Sequence, residues 1–268
     1  MPEIPRLLEP QQLLDLLPRP DILVIDLSNE ETYLSGHIPG AVHLNPGLLM
    51  SGKKPAAGRL PALENLTRLL NKLGIDKDRH VVACDDEGGG WAGRLIWTLD
   101  VLGHEHWSYL NGGMTAWRNE GHPLNSDTVA PEPVQRSYSL DTTWLAEAED
   151  ILQALGNEDF VVWDARSRDE YDGIKVLAKK GGHIPGAIHC EWTSLMDPAR
   201  NLRIREDAKD YLACLGITAD KHIVTHCQSH HRSAFTYLVA RLLGFPHVRG
   251  YHGSWSEWGN LPDTPAET

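Results

Sequence analysis

The chain repeats itself, and that most limits what it can fold into. Gly36-His37-Ile38-Pro39-Gly40-Ala41-Val42-His43 returns as Gly182-His183-Ile184-Pro185-Gly186-Ala187-Ile188-His189. Upstream, Leu23-Val24-Ile25-Asp26 matches Val161-Val162-Trp163-Asp164, with Tyr33 against Tyr171. Downstream, Leu102-Gly103 matches Leu243-Gly244, and Gly112 to Trp117 matches Gly253 to Trp258. Matches in one order at nearly constant offset mean that one structural unit is present twice. The second copy is longer at Asp172 to Gly181, which reads as a loop insertion. Pro123, Pro131 and Pro133 punctuate the stretch between the copies, as expected of an extended linker. The expected domains are 6–122 and 138–262, joined by 123–137. At 268 residues the chain is long enough for two cores.

Within each copy, short β-branched runs alternate with helical patterns. Strands are expected near 22–26, 41–44, 80–84 and 106–110, and again near 159–164, 187–190, 221–226 and 247–251. Phe235, Leu238, Val239, Leu242 and Leu243 fall at i, i+3, i+4, i+7 and i+8, one apolar helix face stopped by Gly244. Trp91 to Leu102, before Gly103, is its counterpart. Such alternation predicts an α/β fold, with a mostly parallel sheet in each copy flanked by helices on both faces. Ligands of such sheets bind at the carboxyl ends of the strands.

Cys227 stands at that place, between the apolar Ile223-Val224 strand and the helix, and opens the loop Cys227-Gln228-Ser229-His230-His231-Arg232. A cysteine attacks as thiolate, and a free thiol has a pKa near ~8.5. Inward amides, the dipole of the following helix and Arg232 can each lower it. The other thiols lack this setting: Cys214 ends an apolar helix and reads as core, and Cys190 ends a strand and reads as structural. Aligning the copies places Asp85 where the nucleophile should be, or Asp86 if the first loop carries an extra residue. A carboxylate there would repel an anion and cannot act as a thiolate, so the first copy is expected to be inactive and to close over the second copy's site. His37 and His183 occur in both copies and belong to the shared turn. Trp192 is a candidate pocket wall.

The net charge of −12 and the absence of a basic run exclude nucleic-acid binding as the main task. They also require locally positive ground for any anionic substrate. Four scattered cysteines without a CxxC pair fit free thiols in a reducing compartment. The first residues show no signal pattern and no apolar run reaches membrane-spanning length, so a cytoplasmic protein with no membrane partner is expected.

Both GHIPGA turns, Asp164-Ala165-Arg166, the loop from Cys227 to Arg232 and the closing Gly253-Ser254-Trp255-Ser256-Glu257-Trp258 together resemble the tandem-domain rhodaneses, the thiosulfate sulfurtransferases. The resemblance spans almost the whole chain, and the loop looks closest to a bacterial subgroup. It implies two rhodanese domains with the catalytic cysteine, Cys227, in the second only. The implied chemistry is transfer of sulfane sulfur from thiosulfate to cyanide or another thiophilic acceptor through a Cys227 persulfide, without a cofactor. Arg166, Gln228, Ser229, His230, His231 and Arg232 are the implied substrate-binding residues. For Arg166 the competing role is a surface ion pair with Asp169 or Glu170; for Arg232 it is pairing with the inactive domain. A monomer is expected.

Other readings are a mercaptopyruvate sulfurtransferase, a persulfide carrier serving a protein partner, and a phosphatase. Only four residues separate Cys227 from Arg232, one short of the phosphatase Cys-x5-Arg loop. Zinc at His226, His230 and His231 would need a spacing unlike the common motifs.

Overall fold

A computed structural model describes residues 4–268. The chain divides into two compact units. The first holds the described residues up to Leu49, with Pro61–Asp141 and Met196–Ile204; the second holds Met50–Leu60, Thr142–Leu195 and Arg205–Thr268. Each unit therefore includes a short segment from the other half of the sequence, which contiguous boundaries at 122 and 138 do not capture.

In the first unit, strands β1 (Leu7–Leu8), β2 (Ile22–Asp26), β3 (Val42–His43), β4 (His80–Cys84) and β5 (Trp107–Leu110) form one parallel sheet in the order β1-β5-β4-β2-β3. In the second, β6 (Leu145–Ala146), β7 (Phe160–Asp164), β8 (Ile188–His189), β11 (His222–His226) and β12 (Val248–Tyr251) repeat it as β6-β12-β11-β7-β8, also parallel. The remaining strands, β9 (Met196–Asp197) and β10 (Arg203–Ile204), make a small antiparallel ribbon in the first unit's added segment. All eight expected strands are present; the two-residue β1 and β6 were not foreseen.

Strand residues alternate between faces, and both faces are covered. Val24, Val82 and Cys84 pack with Leu13 and Trp117 from helices Pro10–Leu16 and Gly113–Asn119. Leu23, Ile25, Val81 and Ala83, on the opposite face, are buried too. The second unit assembles an equivalent core from Ile151, Val162, Val224, Trp255 and Trp258. Burial on both faces is why these strands read as continuous apolar runs.

The expected linker is part of the first unit. His37 forms an antiparallel bridge with Asn125, and the Trp117 indole donates to Pro123 O at 2.8 Å. The second unit does the same with its tail: His183 bridges Glu267, and Trp258 donates to Pro265 O at 2.7 Å. The repeat thus runs through the proline-rich stretch, and the second unit extends past residue 262. In both GHIPGA turns the histidine stacks on the preceding tyrosine, His37 on Tyr33 at 3.8 Å and His183 on Tyr171 at 3.7 Å. Their Nδ1 atoms bond the same tyrosines' carbonyls, so both histidines serve the turn. Among the described residues, no helix is long and apolar enough to cross a membrane.

Candidate active site

Strand β11 lies between β7 and β12, and at its carboxyl end the chain turns through 227–231 into helix Arg232–Leu242. The backbone of Cys227 is fixed by the start of helix Ser254–Trp258. Its N–H donates to Ser254 Oγ at 3.3 Å, and its carbonyl accepts from Trp255 N at 2.9 Å. Ser254 adopts a left-handed φ of 52°, a strained state for a serine, and its hydroxyl donates to Tyr251 O.

The Cys227 side chain is buried, with only 1 % of the residue exposed. Burial by itself would push the thiol pKa up. It is outweighed by the Arg232 charge, the Ser233 hydroxyl and the amides of Ser233 and Ser229, which leave the thiol below its ordinary value. The lowering contributions come from groups of the loop and the first turn of the helix that follow the cysteine.

Arg232 is held by a fork of two hydrogen bonds to Glu170, at 2.6 and 2.9 Å. Glu170 is buried, which would raise its pKa. Bonds from Arg232 and from the Ser167 hydroxyl and amide reverse that and bring it down to about 2. Ser167 and Glu170 form the capping box of helix Arg168–Tyr171. Arg232 is thus anchored inside the second unit, with no pairing to the first copy needed to explain its position. Glu170, read from sequence only as a possible surface partner of Arg166, is its counter-ion.

The rest of the loop is equally constrained. His230 is buried at a left-handed φ of 53°, with Nδ1 2.8 Å from Ser233 Oγ. A ring nitrogen that donates there leaves the serine proton for the Cys227 sulfur. His231 lies under Trp192, ring centroids 5.6 Å apart, and Trp192 meets Phe235 edge-on at 6.2 Å. Trp192 therefore braces the loop. The Gln228 side-chain amide donates to Leu177 O at 3.3 Å. Gly58, in the second unit's added segment, abuts the Ser229 carbonyl so closely that a Cβ would lie 2.1 Å from its oxygen.

Three expectations are corrected. Arg166 is buried: its guanidinium bonds both Asp164 oxygens, donates to Gly182 O and stacks on Trp255 at 4.3 Å. It compensates a fully buried carboxylate, which would be costly alone. Its guanidinium is spent on Asp164 and Gly182 rather than turned to a substrate, and it is not a surface partner of Asp169 or Glu170. Cys214 is exposed at the end of its helix, on the side away from Leu212, rather than in the core. No extra residue occurs in the first copy's loop: Cys84 pairs with Asp26 as His226 pairs with Asp164, and the helices begin at Gly90 and Arg232, five residues past Asp85 and Cys227. Asp85, and not Asp86, stands for the nucleophile. Cys190 is buried, which pushes its thiol up to about 12, as befits a structural residue.

Asp85 shows what the loop is built to hold. Its Oδ1 accepts from the amides of Glu87, Gly88 and Gly89, and its Oδ2 from those of Trp91 and Ala92, all within 3.2 Å. The cradle binds an anion, and here the anion is supplied by the chain. Burial and Glu87 push this carboxyl up to about 6 against the pull of the amides. Among the described residues, no group of three or more His, Cys, Asp and Glu side chains is placed to hold a metal ion.

Known proteins share this plan. The chain is 51% identical over 265 residues to the thiosulfate sulfurtransferase of Pseudomonas aeruginosa, covering 99% of this chain and 98% of that one. It is 51% identical over 264 residues to the thiosulfate sulfurtransferase of Azotobacter vinelandii, covering 98% and 97%. A solved structure of an EanB variant with ergothioneine superposes with a TM-score of 0.87 at 27% identity, over 98% of this chain and 70% of that one. The sequence profile of the Rhodanese-like domain matches residues 9–120 and 147–261, one match on each five-stranded sheet. With the repeat, the twin sheets and the profile agreeing over nearly the whole length, the chain belongs to the rhodanese family and carries two of its domains.

Proposed function

We propose that this protein is a thiosulfate sulfurtransferase working through a persulfide on Cys227, with a loop of the bacterial Cys-Gln-x-His-His-Arg type. One observation carries the reading: of two equivalent strand–loop–helix turns, the one after β11 carries a thiol, Cys227, where its twin carries the Asp85 carboxylate. The Cys227 thiolate attacks the outer sulfur of thiosulfate. The thiosulfate S–S bond breaks, and sulfite leaves with its electron pair. Cyanide or a thiolate then attacks the outer persulfide sulfur, and Cys227 returns as thiolate. The electrons balance without an external oxidant, and the groups that lower the thiol's pKa favour the attacking thiolate without a general base.

The loop amides, with the Ser233 hydroxyl, hold the negative charge on sulfur before and after transfer, as an oxyanion hole holds its anion. Arg232 supplies the positive ground that an acidic protein needs for an anionic donor. Ser229 takes part through its amide, His230 through Ser233, and Gln228 and His231 by fixing the loop. Arg166 acts at one remove, by keeping Asp164 ionised beside His226, whose imidazole burial lowers to about 4. The four free thiols support a reducing, cytoplasmic setting. A monomer suffices, since the second unit brings together every group named here.

The test is intact mass before and after thiosulfate, together with steady-state kinetics. One added sulfur on the peptide containing Cys227, and parallel double-reciprocal lines for thiosulfate and cyanide, are expected. Intersecting lines with no added sulfur sink the reading. Faster turnover with mercaptopyruvate than with thiosulfate would reassign the donor.

A further inference from the structure

The two copies differ most between the tyrosine and the GHIPGA turn. Four positions separate Tyr33 from His37, and twelve separate Tyr171 from His183. The additional loop is well anchored. Lys175 N donates to Asp169 O at 2.9 Å, Lys180 N to Gly259 O at 3.0 Å, and Lys179 N to Asn260 Oδ1 at 3.2 Å. The Lys180 ammonium binds the Thr264 carbonyl and hydroxyl, and Ala178 packs against the core.

Between these anchors the loop shows apolar side chains to solvent. Ile174, Val176 and Leu177 are 74%, 51% and 48% exposed, three of the eight exposed large hydrophobics among the described residues, and they fall within four positions. A fixed cluster of this kind marks a contact surface. Lys175 and Lys179 are exposed beside it, a basic spot on a chain of net charge −12. The patch adjoins the catalytic loop, because Leu177 O accepts from the side chain of Gln228, the residue next to Cys227. The copy whose cradle is filled by Asp85 has no such loop.

We propose that residues 174–179 dock the protein that takes sulfur from Cys227, an acceptor whose attacking thiol is flanked by aliphatic and acidic side chains. This rests on the persulfide reading above. The acceptor thiolate attacks the outer persulfide sulfur, the bond to Cys227 breaks, Cys227 leaves as thiolate, and the acceptor becomes the persulfide. Cyanide and small thiols are too small to cover the three aliphatic side chains. The complementary signs favour an acidic acceptor over a basic one.

The experiment uses the full chain with Ile174, Val176 and Leu177 all changed to serine, substitutions at exposed positions that leave folding nearly unaffected. Three acceptors are compared: cyanide, a synthetic peptide with one cysteine between leucine and glutamate residues, and its twin with lysine for glutamate. Wild type is expected to prefer the acidic peptide. The triple variant is expected to keep cyanide turnover within about twofold and to lose about tenfold in kcat/KM for the acidic peptide, the scale of losing roughly two buried CH2 groups of contact. An equal loss with every acceptor, or no loss with the acidic peptide, overturns the proposal. So does a wild-type dimer that the variant converts to monomer, which assigns the patch to self-association. Absence of cyanide turnover and of persulfide in the wild type would instead refute the underlying reaction.

Discussion

The loop after β4 and the loop after β11 have the same length, leave equivalent strands and enter equivalent helices, yet one closes on Asp85 and the other on Cys227. In the first, five amides converge on a carboxylate that the chain itself provides. In the second, amides at the two corresponding positions, Ser229 and Ser233, meet a sulfur. The cradle is therefore a property of the strand–loop–helix turn, and its occupant decides whether it can react. The comparison extends outward: Gly90 stands where the second copy has Arg232, and Thr32 where it has Glu170. The first copy lacks the thiol and also the ion pair beside it.

Replacing Cys227 by aspartate tests the equivalence most severely. Sulfur transfer should fall on the order of a thousandfold or more, because the covalent intermediate is lost. The variant should still unfold cooperatively in denaturant, since the new carboxylate meets amides at positions equivalent to those that serve Asp85. A variant that fails to fold would show that the second cradle fits only sulfur.

Glu170→Gln separates the ion pair from the cradle. The Glu170 pKa is about 2 in the fold, below its ordinary value of 4.5, so the pair stabilises fully above about pH 4.5 and progressively less as pH falls toward 2. At pH 7 the variant should lose about 3 kcal/mol, read from denaturant midpoints. The gap to wild type should close in acid. A gap independent of pH would mean that the carboxylate charge is not what matters.

Ser233→Ala makes the smallest change, removing one hydroxyl from the sulfur. The thiol pKa should rise by about half a unit to one unit, shifting the pH profile of iodoacetamide alkylation upward. Turnover should fall a few-fold near neutrality and recover at high pH, where the thiol ionises anyway. An unshifted profile would remove Ser233, and with it His230, from control of the sulfur.

Much of this architecture is legible in the residues because its signals are local. The GHIPGA turns, the apolar strands and the Phe235 to Leu243 helix face each announce themselves within a dozen positions. Cys227 stands out because a polar loop follows it directly. What stayed hidden depends on distant partners. Strands β1 and β6 are two residues long, too short for any periodicity. The capping box at Ser167 and Glu170 is readable, but nothing local says that Glu170 also meets Arg232, sixty-two positions away. The same holds for Arg166, whose partner Asp164 is a neighbour yet whose burial is settled by Trp255 and Gly182. The prolines after Pro123 suggested a free connector because a bridging edge segment uses the same composition as a spacer.

Gly58 and Arg59 belong to the early part of the sequence, but Gly58 abuts Ser229, and Arg59 bonds Glu257 and Glu147. A catalytic half severed at residue 138 would lack both, leaving two carboxylates without their shared guanidinium and the reactive turn without a backstop. During synthesis the 50–60 segment can therefore meet these partners only after the chain has been made as far as Glu257.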